Sequence, residues 1–300
     1  MKTKNITLLA KLALFTAALI WGSSFFIVKN TVDIFPPNMF LAVRFTLACI
    51  LLGVIYRKKL CLINKDYLIS GAILGLFLFL AYCSQTIGIT GTTSGKNAFL
   101  TAIYCVIVPF LYWIVNHTRP DRYNFIAAFL CFTGIGFVSL TQNLTISTGD
   151  LLTLLGGFLF AVHMVAVAKL TQGRDAILLT ILQFGFAAIF SLIIALIFET
   201  APKISDISAE SIFSMLYLII FASAAALLLQ NVGQKYTPPS SASLILSLES
   251  VFGVLFSVIF LGDKLTVRLV IGFILIFISI IVSETKLSFL KKLKITMLRN

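Results

Sequence analysis

Ten almost wholly apolar stretches of roughly twenty residues, each ended by a short polar or turn-rich break, constrain this chain more than any single motif does. A segment that long and that apolar can satisfy its own backbone polar groups inside lipid only as a helix. The windows run 8–28, 37–56, 67–88, 94–115, 123–140, 150–169, 176–198, 211–233, 240–261 and 267–285. The longest polar break, 199–210, follows the seventh window, and no stretch is large enough for a separate soluble domain. With 59% hydrophobic and only 11% charged residues, the chain has too little polar surface for a soluble globule. An all-α integral membrane protein of ten transmembrane helices is therefore expected.

A net charge of +12 would suggest a nucleic-acid partner in a soluble protein, but here most basic residues fall in the breaks or near window ends, with Arg44 and Lys96 left inside or at the edge of windows. With the N-terminus on the cytoplasmic side, that side holds Lys2, Lys4 and Lys11; Arg57, Lys58, Lys59 and Lys65; Arg119 and Arg122; Lys169 and Arg174; Lys235; and Lys286, Lys291, Lys292, Lys294 and Arg299. The other side holds only Lys29, Lys203, Lys264 and Arg268. Both termini are thus expected in the cytoplasm, and no nucleic acid is expected as a partner. The first window follows Lys2, Lys4 and Lys11 as a signal peptide would, but it continues through Val28 without a small-residue cleavage site and reads as a retained span. Five cysteines (Cys49, Cys61, Cys83, Cys105, Cys131) with no CxxC support neither a disulfide framework nor a metal site. The sequon at Asn143 reads as incidental, and the basic C-terminal tail as lying on the membrane surface or in water.

The chain also repeats itself faintly. Shifting the numbering by 145 lays Gln85 on Gln230, Gly88 on Gly233, Thr92 on Thr237 and Val106 on Val251. A shift of 139 lays Trp21-Gly22 on Phe160-Ala161 and Arg44-Phe45 on Gln183-Phe184, the difference being taken up by the long break after the seventh window. Five crossings per half is an odd number, so the second half must enter from the opposite side and the repeats must be inverted. Secondary transporters are commonly built this way, with a binding site at the repeat interface near the membrane midplane.

The polar residues inside the windows are the candidate site. Glu249 sits near the middle of the ninth window, and a carboxylate at that depth is expensive unless it faces the protein interior or a watery cavity. Its blander reading is a group locked by neighbouring hydroxyls. Ser241 shares its helical face. Arg44 lies a third of the way into the second window, either reaching to the interface or serving as an anion clamp. Lys96 and Asn97 open the fourth window after Gly91-Thr-Thr-Ser-Gly95. His163 is alone in the sixth window, a packing residue or a proton relay rather than a metal ligand. Gln85, Gln183, Gln230 and Gln234 bond between helices or line a polar cavity, and Trp21 is a candidate wall residue. The 145 shift places Tyr104 opposite Glu249 and Lys96 opposite Ser241. Lys96, Asn97 and Tyr104 are therefore expected to line or support a central cavity with Gln230, Ser241 and Glu249, and Arg44, His163 and Gln183 are the second choices. A Glu249 carboxyl exposed alternately to the two sides is a physical route to proton coupling.

No Walker loop, GxSxG, HExxH or pair of aspartates at metal spacing is present, so no enzyme activity and no cofactor are expected. WGSSFFIVK in the first window, AVRF in the second, GKNAFLTAIYCVIVP in the fourth, GDLLTLLGGFLFAVHMV in the sixth and PPSSASLILSLESVFGVLFSVIFLGDKLT across the ninth and tenth resemble the EamA-type family of the drug/metabolite transporter superfamily. The likeness runs to about Glu284, and it departs from the family pattern where Asp263 replaces a glutamate in LGDKL. It implies two inverted five-helix repeats, at 1–145 and 146–288, with a basic tail at 289–300, in the plasma membrane of a prokaryote. It further implies movement of a small organic metabolite, an amino-acid-like compound or a drug, more in keeping with export, with the lipid bilayer and protons as the other partners. A non-transporting structural or assembly protein and a channel-like facilitator remain the alternatives.

Overall fold

The computed structural model describes residues 2–117, 119–139, 146–203 and 207–286. Asn143 and the basic tail at 289–300 lie outside the described residues. The chain is all-helical there: α1 (Lys2–Val32), α2 (Pro37–Ile55), α3 (Lys65–Thr90), α4 (Ser94–Thr101), α5 (Tyr104–Asn116), α6 (Arg122–Ser139), α7 (Thr148–Leu170), α8 (Ala176–Phe198), α9 (Ala209–Tyr217), α10 (Ala226–Lys235), α11 (Pro239–Leu246), α12 (Leu248–Leu261) and α13 (Val267–Thr285). Helices α4 and α5 together form the fourth span, and α11 and α12 the ninth. The eighth span comprises α9, a π-helical segment at Leu218–Ala225, and α10. Among the described residues, eight of the ten spans are long and apolar enough to cross a bilayer outright, and the described apolar parts of the fifth and tenth are Arg122–Val138 and Val267–Val282. Large apolar side chains such as Phe129, Phe132, Leu196, Phe198 and Phe213 stand exposed on the outside, as a lipid-facing surface requires.

Local chemistry sets where the spans begin. Pro37 starts α2 at a position whose N–H would have no helical partner. Side chains of Asn64, Thr93, Ser147, Asp175, Ser208 and Thr266 accept the first free backbone N–H groups of α3, α4, α7, α8, α9 and α13. Helix α1 outruns its apolar window at both ends, because helical hydrogen bonding continues through Lys29, Asn30 and Thr31 after hydrophobicity has stopped.

Packing follows the inverted repeat. Helix α3 packs against α7 and α8, and the eighth span correspondingly packs against α1 and α2. The pairs that must straddle the pseudo-twofold axis meet their own counterparts: α2 with α8, α6 with α13, and the fourth span with the ninth, where α4 packs on α12 and its repeat image α11 packs on α5. Phe45 and Phe184, related by the 139-residue shift, stack with ring centroids 5.8 Å apart. At the α6–α13 crossing Gly134 and Gly272 face each other. A Cβ on either would stand 3.0 Å from the other's carbonyl oxygen, so the backbones meet without side chains between them. The breaks in the fourth and ninth spans, at Ala102–Ile103 and Ser247, also coincide under the 145-residue shift.

Charges tie the two ends. On the more basic face Lys59 pairs with Asp175, and Arg174 pairs with Asp66 at 2.7 Å. Burial alone would push the Asp175 carboxyl up, but the Lys59 ammonium and the amides of Leu178 and Ile177 together hold it below the ordinary carboxylate value. On the opposite face the Glu199 carboxylate accepts from the backbone N–H groups of Asn38 and Met39 at the start of α2, 2.8 and 2.7 Å away. There the Lys29 ammonium donates to the carbonyls of Ile89 and Thr90 in the last turn of α3 and of Thr92 just beyond it.

Candidate functional site

A tight cavity of about 40 Å³ lies among α1, α2, α3, α4, α5, α7, α10, α11 and α12, and so draws on both repeats. The two helix breaks shape it. Because the α-helical ladder stops at Ala102–Ile103 and at Ser247, Tyr104 and Glu249 both fall in the first turn of a new half-helix. The Tyr104 hydroxyl is turned toward the Glu249 carboxyl from the other repeat without closing a hydrogen bond within 3.5 Å. Glu249 is 5% exposed, and among the described residues it has no partner of opposite charge.

Arg44, 2% exposed, enters from α2 and also lacks an ion-pair partner among the described residues. Its guanidinium stands 5.0 Å from the Tyr82 ring centroid, donates through Nε to the Ser223 hydroxyl, and donates through Nη2 to the Ala222 carbonyl at 3.2 Å. The same carbonyl accepts from the Trp21 indole N–H at 2.8 Å. Ala222 lies in the π-helical segment, whose wider turn opens a carbonyl to donors from outside the helix. First, second and eighth spans are thereby joined at one oxygen. Opposite them, the Asn97 amide nitrogen donates to Thr153 Oγ1 at 2.8 Å, and its own carbonyl oxygen is left without a partner.

Of the twelve residues singled out from sequence, Glu249, Asn97, Tyr104, Gln85, Gln230, Arg44 and Trp21 line this cavity. Lys96 does not. Its ammonium pairs with the fully buried Asp150 of α7 at 2.8 Å, in a cluster with Thr92 near the Lys29 end of the molecule. His163 and Gln183 bond each other at 3.0 Å behind the cavity wall, and Ser241 is half-buried on α11 away from it. The reading of individual residues did not single out Tyr82, Phe160 or Met164. Phe160 carried a signal, as the repeat image of Trp21. Tyr82 carried one too, since it precedes Gln85 by three residues and so shares its helical face. Met164, an ordinary apolar residue in an apolar span, carried none.

The model of the EamA-like transporter family matches residues 8–140 and again 147–285. An uncharacterised transporter of Archaeoglobus fulgidus is 34% identical over 275 residues, covering 92% of this chain and 85% of its own length. The uncharacterised transporter YoaV of Bacillus subtilis is 22% identical, over 88% of this chain and 93% of its own. A solved crystal structure superposes with a TM-score of 0.67 at 17% identity, covering 93% of this chain and 98% of that one, which speaks to the fold.

Proposed function

Since the chain belongs to the EamA-like transporter family, and is accordingly a multi-pass membrane transporter, we propose that it exports a small organic metabolite, an amino-acid-like compound or a drug by alternating access. One observation carries this reading: the two repeats enclose a cavity holding one carboxyl, Glu249, and one guanidinium, Arg44, neither of them neutralised by an ion pair among the described residues. Buried charges are ordinarily paired, and a solute carrying both charges supplies what each lacks. Aromatic walls at Trp21, Phe25, Tyr82 and Phe160 suit an apolar body between the charged ends.

In this reading the repeats are 1–145 and 146–288, and they rock about the cavity in the plasma membrane with both termini in the cytoplasm. The Glu249 carboxyl faces each side in turn and carries a proton against the solute. Purified protein in proteoliposomes under an imposed pH gradient, tested with a panel of amino acids, amines and organic acids, should accumulate at least one solute saturably and show counterflow. Flux without saturation or counterflow makes the protein a channel-like facilitator. No movement of any solute makes it a structural or assembly protein.

A further inference from the structure

A second polar space lies at the more basic face, apart from the central cavity. It is a vestibule of about 480 Å³ walled by Tyr112 of α5, Thr171 and Gln172 at the end of α7, and Gln234, Lys235 and Thr237 at the end of α10. No acidic residue lines it. Gln234 and Thr237 are each only 4% exposed, and the Gln234 amide nitrogen and the Thr237 hydroxyl are left without hydrogen-bond partners. A buried donor left unpaired is costly to the fold, and groups of this kind are retained where something else pairs with them. Gln230, which lines the cavity, donates its amide N–H to the Gln234 carbonyl oxygen at 3.3 Å, one helical turn away, so the two spaces have adjoining residues on one face of α10. The two aspartates at the neighbouring helix starts are already engaged, Asp66 by Arg174 and Asp175 by Lys59, and Lys235, the charged residue among those lining the vestibule, has no acidic partner among the described residues.

Building on the transporter reading, we infer that this vestibule is a second solute station: it takes the carboxylate or other acceptor-bearing end of a solute on the unpaired Gln234 and Thr237 donors and passes it to the central cavity along the Gln230–Gln234 face of α10. In the orientation proposed above, it is where cargo enters from the cytoplasm.

The test needs no knowledge of the cargo. Gln234→Cys and Thr237→Cys are made separately in a background with the exposed Cys61 replaced by serine. Each purified protein reacts with a methanethiosulfonate carrying a sulfonate and with one carrying a trimethylammonium, and the rates are normalised to those for free cysteine. Both thiols should react, with the anionic reagent favoured by at least about tenfold in normalised rate, and Lys235→Ala should reduce that preference, as expected for a pocket that concentrates anions. Two positions keep the test informative if one variant does not fold. Unreactive thiols at both positions, or equal rates for the two reagents, overturn the station. Labelling requires no turnover, so failed solute flux with normal labelling counts against the transport reading alone, and normal flux with no labelling counts against the station alone.

Discussion

The pair Lys96–Asp150 offers a sharp quantitative test, because its two ends sit in unlike surroundings. Asp150 is wholly buried, whereas the Lys96 side chain keeps 20% of its surface. At 2.8 Å the attraction is about 6 kcal/mol at an effective dielectric constant of roughly 20, much of it offset by desolvation. Removing the lysine strands a buried carboxylate, which ordinarily costs about 3–5 kcal/mol. Two features soften that here. The Thr92 hydroxyl donates to Asp150 at 2.5 Å, and Asp150 lies in the first turn of α7, where the helix dipole favours negative charge. Lys96→Met should therefore destabilise by about 2–3 kcal/mol, at or just below the lower bound of that range. Asp150→Asn should cost less, about 1–2 kcal/mol, because the freed ammonium can reach toward water. Lys96→Met/Asp150→Asn leaves no buried charge and should cost no more than the lysine change alone, giving a coupling of roughly 2 kcal/mol. The assay is equilibrium unfolding by SDS in mixed micelles for the four proteins of the cycle. Single costs that add to the double within about 0.5 kcal/mol would refute the reasoning, since uncoupled residues behave that way.

Three further outcomes are expected. Glu249→Gln keeps size and hydrogen bonding but removes the titratable proton, so uphill transport driven by a pH gradient should disappear while solute exchange partly survives; undiminished uphill transport would make Glu249 structural. Gly253→Ala would place a methyl 2.4 Å from the Ala98 Cβ where α12 crosses α4, and should destabilise by about 1–3 kcal/mol, with Ala98→Gly in the same chain recovering much of the loss in a thermal-unfolding assay. The Asp175 carboxyl is held below its ordinary value when folded, so its contribution is complete above the unfolded value near about pH 4 and is lost as pH falls through the folded one. Melting temperature followed from pH 6 down to pH 3 should accordingly fall less steeply for Asp175→Asn than for the native chain.

Hydrophobic window length made the ten spans legible, because it is a property of single segments summed over many residues, and the odd number of crossings per half together with the faint self-similarity made their inverted pairing legible. Glu249 and Arg44 stood out for the same reason, as charges within otherwise apolar windows. The breaks did not. Ala102, Ile103 and Ser247 carry no helix-stopping chemistry of their own, and the interruption shows only in the three-dimensional ladder of hydrogen bonds. The π-helical segment LIIFASAA reads as ordinary apolar helix, so the carbonyl that joins Trp21 to Arg44 had no signature in the sequence. Lys96 illustrates a different limit. Its partner Asp150 is 54 residues away, and the 145-residue shift paired Lys96 with Ser241 by symmetry, although charge draws it to a residue of its own side of the cavity. Repeat symmetry locates backbones well, but side chains answer to the particular charges around them.

The bond from Trp21 to the Ala222 carbonyl has a practical consequence for optical work. The chain has two tryptophans, and the other, Trp113, is 39% exposed on the outer surface of the bundle. Replacing Trp113 with phenylalanine leaves a single indole, held in one orientation by its N–H bond and facing the central cavity. Its emission then reports from one place only. A solute that settles against the ring changes that emission through the water it displaces, and a motion that parts the first span from the eighth changes it through the broken bond. Mixed rapidly with solute in a stopped-flow fluorimeter, such a protein would resolve filling of the cavity and movement of the spans as separate phases, with no dye attached.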